Sequence, residues 1–337
     1  MPTYRESGVD LDAAGELVDR IGPAVERTWN ERVVGGFGGF AAGIRIPAGF
    51  RSPVLMMSTD GVGTKIELAR TTGRFAGLGF DLVAMCVDDL AAVGARPLAF
   101  TDYLAVGALR PDRDQELIES VAAACVSAGC ALLGGETAVH PGVMDADSFD
   151  LAGAALGIVE EGDAITGTSI EVGDVVVGVQ SPNLRSNGFS LVRALLQDVD
   201  LDDSFDDGRT VGEVLLEPSV IYAPAVLEAV STGAVHGLAH ITGGALPGNL
   251  PRVLPAGTGA VLDRSAWTVP PVFGYLQNLG PVSDEEMFRT FNMGIGFVLI
   301  VGSTAATEVQ AAFTNHGHSS RVIGEVTADQ GHEIRIV

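Results

Sequence analysis

Eight consecutive residues, Ser58-Thr59-Asp60-Gly61-Val62-Gly63-Thr64-Lys65, bring together a carboxylate, an ammonium, two glycines and three hydroxyls. Asp60 is a hard oxygen donor of the kind Mg2+ takes, and Lys65 can meet a phosphate as a compact point charge. Gly61 and Gly63 permit a sharp turn between them. Asp60 as an ordinary turn residue is the competing reading. Against it stand the position of the run, directly after a strand candidate, and the fact that Lys65 is the single lysine among 20 basic residues. A second segment, Gly35-Gly36-Phe37-Gly38-Gly39-Phe40, holds too many glycines for a helix or strand interior. Its backbone N–H groups can approach an anion closely, although the run lacks the Lys-Ser/Thr ending of a Walker A loop.

Asp81, Asp88 and Asp89 fall inside an otherwise apolar helical pattern. Carboxylates there are costly unless paired or metal-bound, which favours metal or nucleotide contact over a solvated face. Three further loops end apolar runs: Gly134-Gly135-Glu136-Thr137, Ser186-Asn187-Gly188 and His240-Ile241-Thr242-Gly243-Gly244. Asn187 can bind a ligand or cap the helix that follows it. A lone histidine is usually structural, but His240 directly precedes an anion-suited turn. Carboxylates, one lysine, one histidine and several glycine loops together suit the chemistry of a Mg2+-nucleotide.

These loops need a scaffold, and the hydrophobic pattern predicts one. Strand candidates cover residues 53–58, 98–106, 131–134, 149–159, 174–180, 293–301 and 320–326. Helical spacing covers 78–94, 112–128, 189–196, 212–232 and 304–315. The alternation predicts an α/β (α+β) chain. A polar, glycine-containing stretch at 160–173 predicts a boundary near residue 168, giving domains 1–168 and 169–337. The aspartate-rich stretch 198–207 reads as a solvated loop.

Composition narrows the function classes. Twenty basic against 43 acidic residues give a net charge of −23, which argues against nucleic acid or an anionic membrane surface as partner. The N-terminal residues lack a signal pattern and no apolar run reaches spanning length. Cys86, Cys125 and Cys130 form no zinc spacing and read as buried free thiols, so a cytoplasmic location is expected.

In order and wording the motifs resemble the phosphoribosylformylglycinamidine cyclo-ligases (AIR synthetases). The resemblance begins at Tyr4–Asp12 and runs through Gly35–Phe40, Thr59–Lys65, Asp81–Asp89, Gly134–Thr137, Ser186–Leu191, His240–Gly244 and Thr290–Gly296. It covers nearly the whole chain, and Thr59–Lys65 is its most specific part. It implies a two-domain fold whose N-terminal domains join sheets in a homodimer, with ATP and Mg2+ as cofactors and formylglycinamidine ribonucleotide as substrate. In the implied chemistry ATP phosphorylates the formamide oxygen, and the amidine nitrogen then attacks that carbon and closes the imidazole ring.

On the matching positions the resemblance implies Asp60 and Asp89 as Mg2+ ligands, with Asp88 as a helper. Lys65 and the backbone of Gly35, Gly36, Gly38 and Gly39 would face the triphosphate, with Thr59, Gly61, Gly63 and Thr64 beside them. Glu136, Ser186, Asn187, Gly188, His240, Thr242 and Gly243 would surround the substrate, His240 as a proton-transfer group. Two departures stand out: Arg185 occupies a position usually held by histidine, and Ala245 one usually held by glycine. Arg185 could bind a substrate phosphate. It also keeps open two alternatives, a paralogue phosphorylating a different small substrate and a nucleotide-binding regulatory subunit without turnover. Replacing Lys65 by arginine is expected to impair turnover and leave the fold intact.

Overall fold

A computed structural model describes residues 3–206, 208–329 and 331–337. The chain opens with α1 (Leu11–Glu26), capped by Asp10, whose carboxylate accepts from the Asp12 and Ala13 amides. Two short antiparallel strands, β1 (Val33–Val34) and β2 (Gly43–Ile44), follow, and the glycine-rich loop is the tip of this hairpin. Next come β3 (Pro53–Gly61), α2 (Lys65–Thr72), α3 (Leu78–Ala91), β4 (Arg96–Val106), α4 (Pro111–Ala128), β5 (Ala131–Val139) and β6 (Phe149–Glu160). The four longer strands form a sheet in the order β3-β6-β4-β5, with only β4 and β5 parallel.

One face of this sheet is covered by the helices α3 and α4, through Leu82, Cys86, Phe100, Leu117 and Val121. The other face is open: Met57 is 74% and Leu55 50% exposed on the edge strand β3, with Tyr103 also exposed on β4. Alternation along β3 and β4 sends successive side chains to opposite faces, so the pattern follows from the pleat.

The second half contains β7 (Val175–Gln180), α5 (Phe189–Leu195), α6 (Val211–Leu215), α7 (Ala223–Ser231), β8 (Val235–His240), α8 (Ala245–Asn249) and β9 (Thr258–Leu262). It ends with α9 (Pro271–Leu279), α10 (Asp284–Thr290), β10 (Ile295–Val301), α11 (Ala306–Asn315), β11 (Ser320–Ala328) and β12 (Ile334–Ile336). Its six-stranded sheet runs β12-β9-β11-β7-β10-β8, antiparallel except for β12 against β9. Every residue of β10 is buried, as expected of an apolar central strand.

Two elements depart from the sequence expectation. The single helix predicted over 212–232 is two helices, α6 and α7, separated by a non-helical stretch. Pro218 within it lacks an amide donor and restricts Glu217, and Asp88 caps the second helix from another element. The strand predicted at 131–134 continues to Val139, past Gly134 and Gly135, because β4 supplies a ladder along its whole length. The acidic loop predicted over 198–207 leads to Thr210, which caps α6; Asp207 itself lies outside the described residues.

Candidate active site

Two buried ion pairs seal the junction between the two sheets. Lys65 Nζ lies 2.7 Å from Asp81 Oδ2, and neither side chain is exposed. The same ammonium donates to the carbonyls of Arg185 (3.2 Å) and Glu217 (3.0 Å), while Asp81 Oδ1 accepts from the Ser219 amide and hydroxyl. Burial pushes the Lys65 pKa down and that of Asp81 up; their mutual attraction works against both shifts.

Lys65, expected beside the triphosphate, is the first residue of α2, and its side chain runs inward between the two halves. The chain uses its one lysine where a compact ammonium reaches one carboxylate and two carbonyls in a space closed to water.

Arg185 is likewise turned inward. Its guanidinium is buried, with Nη2 2.8 Å from Asp88 Oδ2, Nη1 donating to the Gly296 carbonyl (3.1 Å) and the cation 4.9 Å from the Tyr222 ring centre. Its Nε is buried without a hydrogen-bond partner. Its backbone φ of +60° is unusual for a side-chain-bearing residue and is held by Asn183, whose side chain accepts from the Arg185 amide. Asp88 is fully occupied too: Oδ1 accepts from the Tyr222 and Ala223 amides at the start of α7. It therefore acts as a helix cap and counter-ion at the junction.

Asp89, the next residue of α3, points the other way and is exposed. Its Oδ1 lies 2.8 Å from His240 Nδ1, at the end of β8. The His240 ring is buried and stacked on Phe297, and its Nε2 faces inward, 3.8 Å from Asp88 Oδ2. That position suits a residue that orients Asp89, and it turns the second ring nitrogen away from any open site. One turn before Asp89 on α3, Met85 Sδ lies 3.7 Å from Asn187 Nδ2, whose Oδ1 would sit 3.6 Å from a methyl group at Gly243. Ser186 donates to the Val62 carbonyl (2.7 Å), Thr64 bonds Ser190 (3.2 Å) and Thr59 donates to the Gly153 carbonyl (2.8 Å). Gly188, with positive φ, packs against Phe291. The turn after His240 is tied by Asn249, which donates to the carbonyls of Thr242, Gly243 and Ala245. Ala245 there has φ +53°, a conformation that favours glycine.

Asp60 is exposed at the end of β3, with Oδ1 accepting from the Gly61 amide. Burial holds the Cys86 thiol pKa up, and the charges of Asp60 and Asp89 both add to that effect.

A second group of expected residues lies at the far edge of the four-stranded sheet. Gly36, Gly38, Gly39 and Glu136 line a cavity of about 810 Å3 bounded by α1, the hairpin tip and β5. Gly35, at the base of the tip, has φ +108°. The expected site residues thus fall at opposite edges, β3 and β5, within one chain. The cavity also contains a carboxyl that the sequence reading missed, Asp102 on β4. Its one signal was an acidic residue within an apolar strand pattern.

Fold and site together define a class. Residues 39–159 match the AIR synthase related protein N-terminal domain and residues 171–337 the C-terminal domain. The chain is 47% identical over 331 residues to the phosphoribosylformylglycinamidine cyclo-ligase of Thermosynechococcus vestitus, covering 97% of each. It is 49% identical over 332 residues to that of Sorangium cellulosum, covering 97% of this chain and 95% of the relative. The chain belongs to the phosphoribosylformylglycinamidine cyclo-ligase family. In fold it is similar to the thiamine-monophosphate kinase of Stenotrophomonas maltophilia, with a TM-score of 0.72 at 18% identity over 95% of both chains.

Proposed function

We propose that this chain closes the imidazole ring of 5-aminoimidazole ribonucleotide from formylglycinamidine ribonucleotide in purine biosynthesis, consuming ATP and releasing ADP and phosphate. The observation that carries the reading is the relationship to cyclo-ligases along essentially the full length of both chains. The γ-phosphoryl group is transferred to the formamide oxygen, which makes that oxygen a leaving group. The amidine nitrogen attacks the same carbon, loses a proton, and phosphate departs with the oxygen. Such chemistry asks the protein for positioning and charge neutralisation more than for covalent participation.

Asp60 and Asp89 would hold Mg2+. Among the described residues no group of three or more His, Cys, Asp or Glu side chains forms a closed metal site. Two carboxylates nevertheless fit Mg2+, which keeps waters and phosphate oxygens as its remaining ligands. When bound, it neutralises phosphate charge. His240 holds Asp89 in orientation, and the backbone of Gly35, Gly36, Gly38 and Gly39 faces the triphosphate, with Thr59, Gly61, Gly63 and Thr64 near the metal. Glu136, Ser186, Asn187, Gly188, Thr242 and Gly243 surround the substrate. Residues 1–168 carry the nucleotide and the dimer contact, and 169–337 complete the substrate site.

The open apolar face of the four-stranded sheet supports a homodimer in which two such faces join. That arrangement offers a way to unite the residue groups at the two sheet edges. Among the described residues no helix is long and apolar enough to cross a membrane, and three free buried thiols fit a reducing cytoplasm. The regulatory-subunit alternative drew on Arg185, which occupies the junction and leaves the ligand-facing residues unaltered. The test is direct: purified chain, ATP, Mg2+ and formylglycinamidine ribonucleotide, with aminoimidazole ribonucleotide and ADP followed together. Equal amounts of both products are expected; ATP binding without ring closure would overturn the reading.

A further inference from the structure

Asp102 is 9% exposed and faces the helix layer from the middle of β4. Its carboxyl sits against Gly135 on the neighbouring strand, so closely that a methyl group there would collide with Oδ1. Around it the cavity has an apolar side, formed by Leu17, Ile21 and Val25 from α1, Phe37 from the hairpin tip, Leu109 and Ile118. Among the described residues, Asp102 has no basic partner, and the interactions acting on its carboxyl are its own amide and the charge of Glu136. A buried carboxyl without a partner is costly to fold around. Here it lines a space large enough for a ligand.

We propose that Asp102 recognises an amidine edge, N–C=N, on one of the two substrates. The proposal rests on the reading of the chain as a cyclo-ligase, and two sources of that edge follow from it: the adenine ring of ATP, through N1 and the 6-amino group, and the amidine of formylglycinamidine ribonucleotide. A neutral carboxyl presents an O–H donor beside a C=O acceptor, which matches N1 and the 6-amino group of adenine. A carboxylate accepts two N–H groups side by side, which matches an amidinium. Burial raises the Asp102 pKa to about 7, with the Glu136 charge adding to it, so both forms are available at neutral pH. The Cys125 thiol on α4 also feels the Asp102 charge.

Calorimetric titration of the full chain with ATP and, separately, with formylglycinamidine ribonucleotide tests this in the wild type, Asp102→Asn and Asp102→Ala. If adenine is the source, Asp102→Ala weakens ATP binding about 10-fold or more and leaves the other ligand unchanged. Asp102→Asn, which keeps an N–H donor beside a carbonyl, then retains most of the ATP affinity. If the substrate amidine is the source, both variants weaken its binding about 10-fold or more and leave ATP unchanged. Unchanged affinity for both ligands in both variants overturns the proposal. So does a parallel loss for both ligands accompanied by a lower melting temperature, which marks a structural role. Because binding is read directly, ligand-selective losses in a chain that makes no product would fault the assigned reaction and sustain the role of Asp102.

Discussion

Arg185 and Asp88 meet at 2.8 Å with both side chains sealed from solvent, one from each half of the chain. Because the other Asp88 oxygen caps α7, the pair fixes α3 against the second sheet and sets the direction in which Asp89 emerges. Removing one partner leaves an uncompensated buried charge. Arg185→Ala is therefore expected to cost about 3–5 kcal/mol, read from urea unfolding, and to lower turnover as well. A loss under about 1 kcal/mol would show that the pair is dispensable.

Lys65 makes a sharper case, since its ammonium and the Asp81 carboxylate are both fully buried. Lys65→Met should also destabilise by about 3–5 kcal/mol, because Asp81 is left without its counter-ion. Lys65→Arg keeps the charge but forces a larger head group into a closed space, an overpacking expected to cost about 1–3 kcal/mol. The fold should suffer in both variants, and an arginine variant as stable as the wild type would count against this geometry.

In the proposed Mg2+ site, Asp89 would be a ligand and His240 its support. Asp89→Asn should abolish saturation by Mg2+ in its ordinary range. His240→Ala should weaken Mg2+ dependence about 10- to 100-fold while leaving ATP-dependent turnover recoverable at high Mg2+. Titrating Mg2+ at fixed ATP reads both, and identical behaviour in the two variants would remove the distinction.

For Asp102 the sign of the pH dependence can be fixed in advance. Its folded-state pKa of about 7 lies above the ordinary carboxylate value of 3.8, so between about pH 4 and 7 the folded state holds a proton that the unfolded state has released. Stability from this group is present below that window and is lost as pH rises through it. Asp102→Asn should flatten the slope, gaining on the wild type at pH 8 relative to pH 5 in parallel denaturation curves.

The open sheet face gives the last expectation. Met57→Asp places a charge at its most exposed apolar side chain and should shift the chain from dimer to monomer in sedimentation, with little effect on the helix side of the sheet. An unaltered dimer would move the contact elsewhere.

Much of the scaffold was legible because apolar period and glycine stops survive in a single sequence: α4 ends at Gly129 in the left-handed conformation, as its pattern implied. The site was less so. Adjacent aspartates read alike in sequence, yet successive helix residues point about 100° apart, which sends Asp88 into the junction and Asp89 to the surface. The lone lysine drew attention for its rarity, but only packing reveals that its side chain turns inward. Asp102 was hidden by its own strand, where one buried carboxyl interrupts an apolar run without a neighbouring motif. Pro218 stands within the long apolar pattern of 212–232 and breaks the helix that the pattern alone implies.

The ion pairs also bear on how the molecule comes apart. The buried apolar residues of the two halves already form one continuous core. Here Lys65 bonds carbonyls of the second half, Asp81 bonds Ser219 and Asp88 bonds Arg185, so neither half can lose its structure and leave the other's buried charges satisfied. The halves are therefore expected to unfold in one cooperative transition, with a single heat-absorption peak in calorimetry.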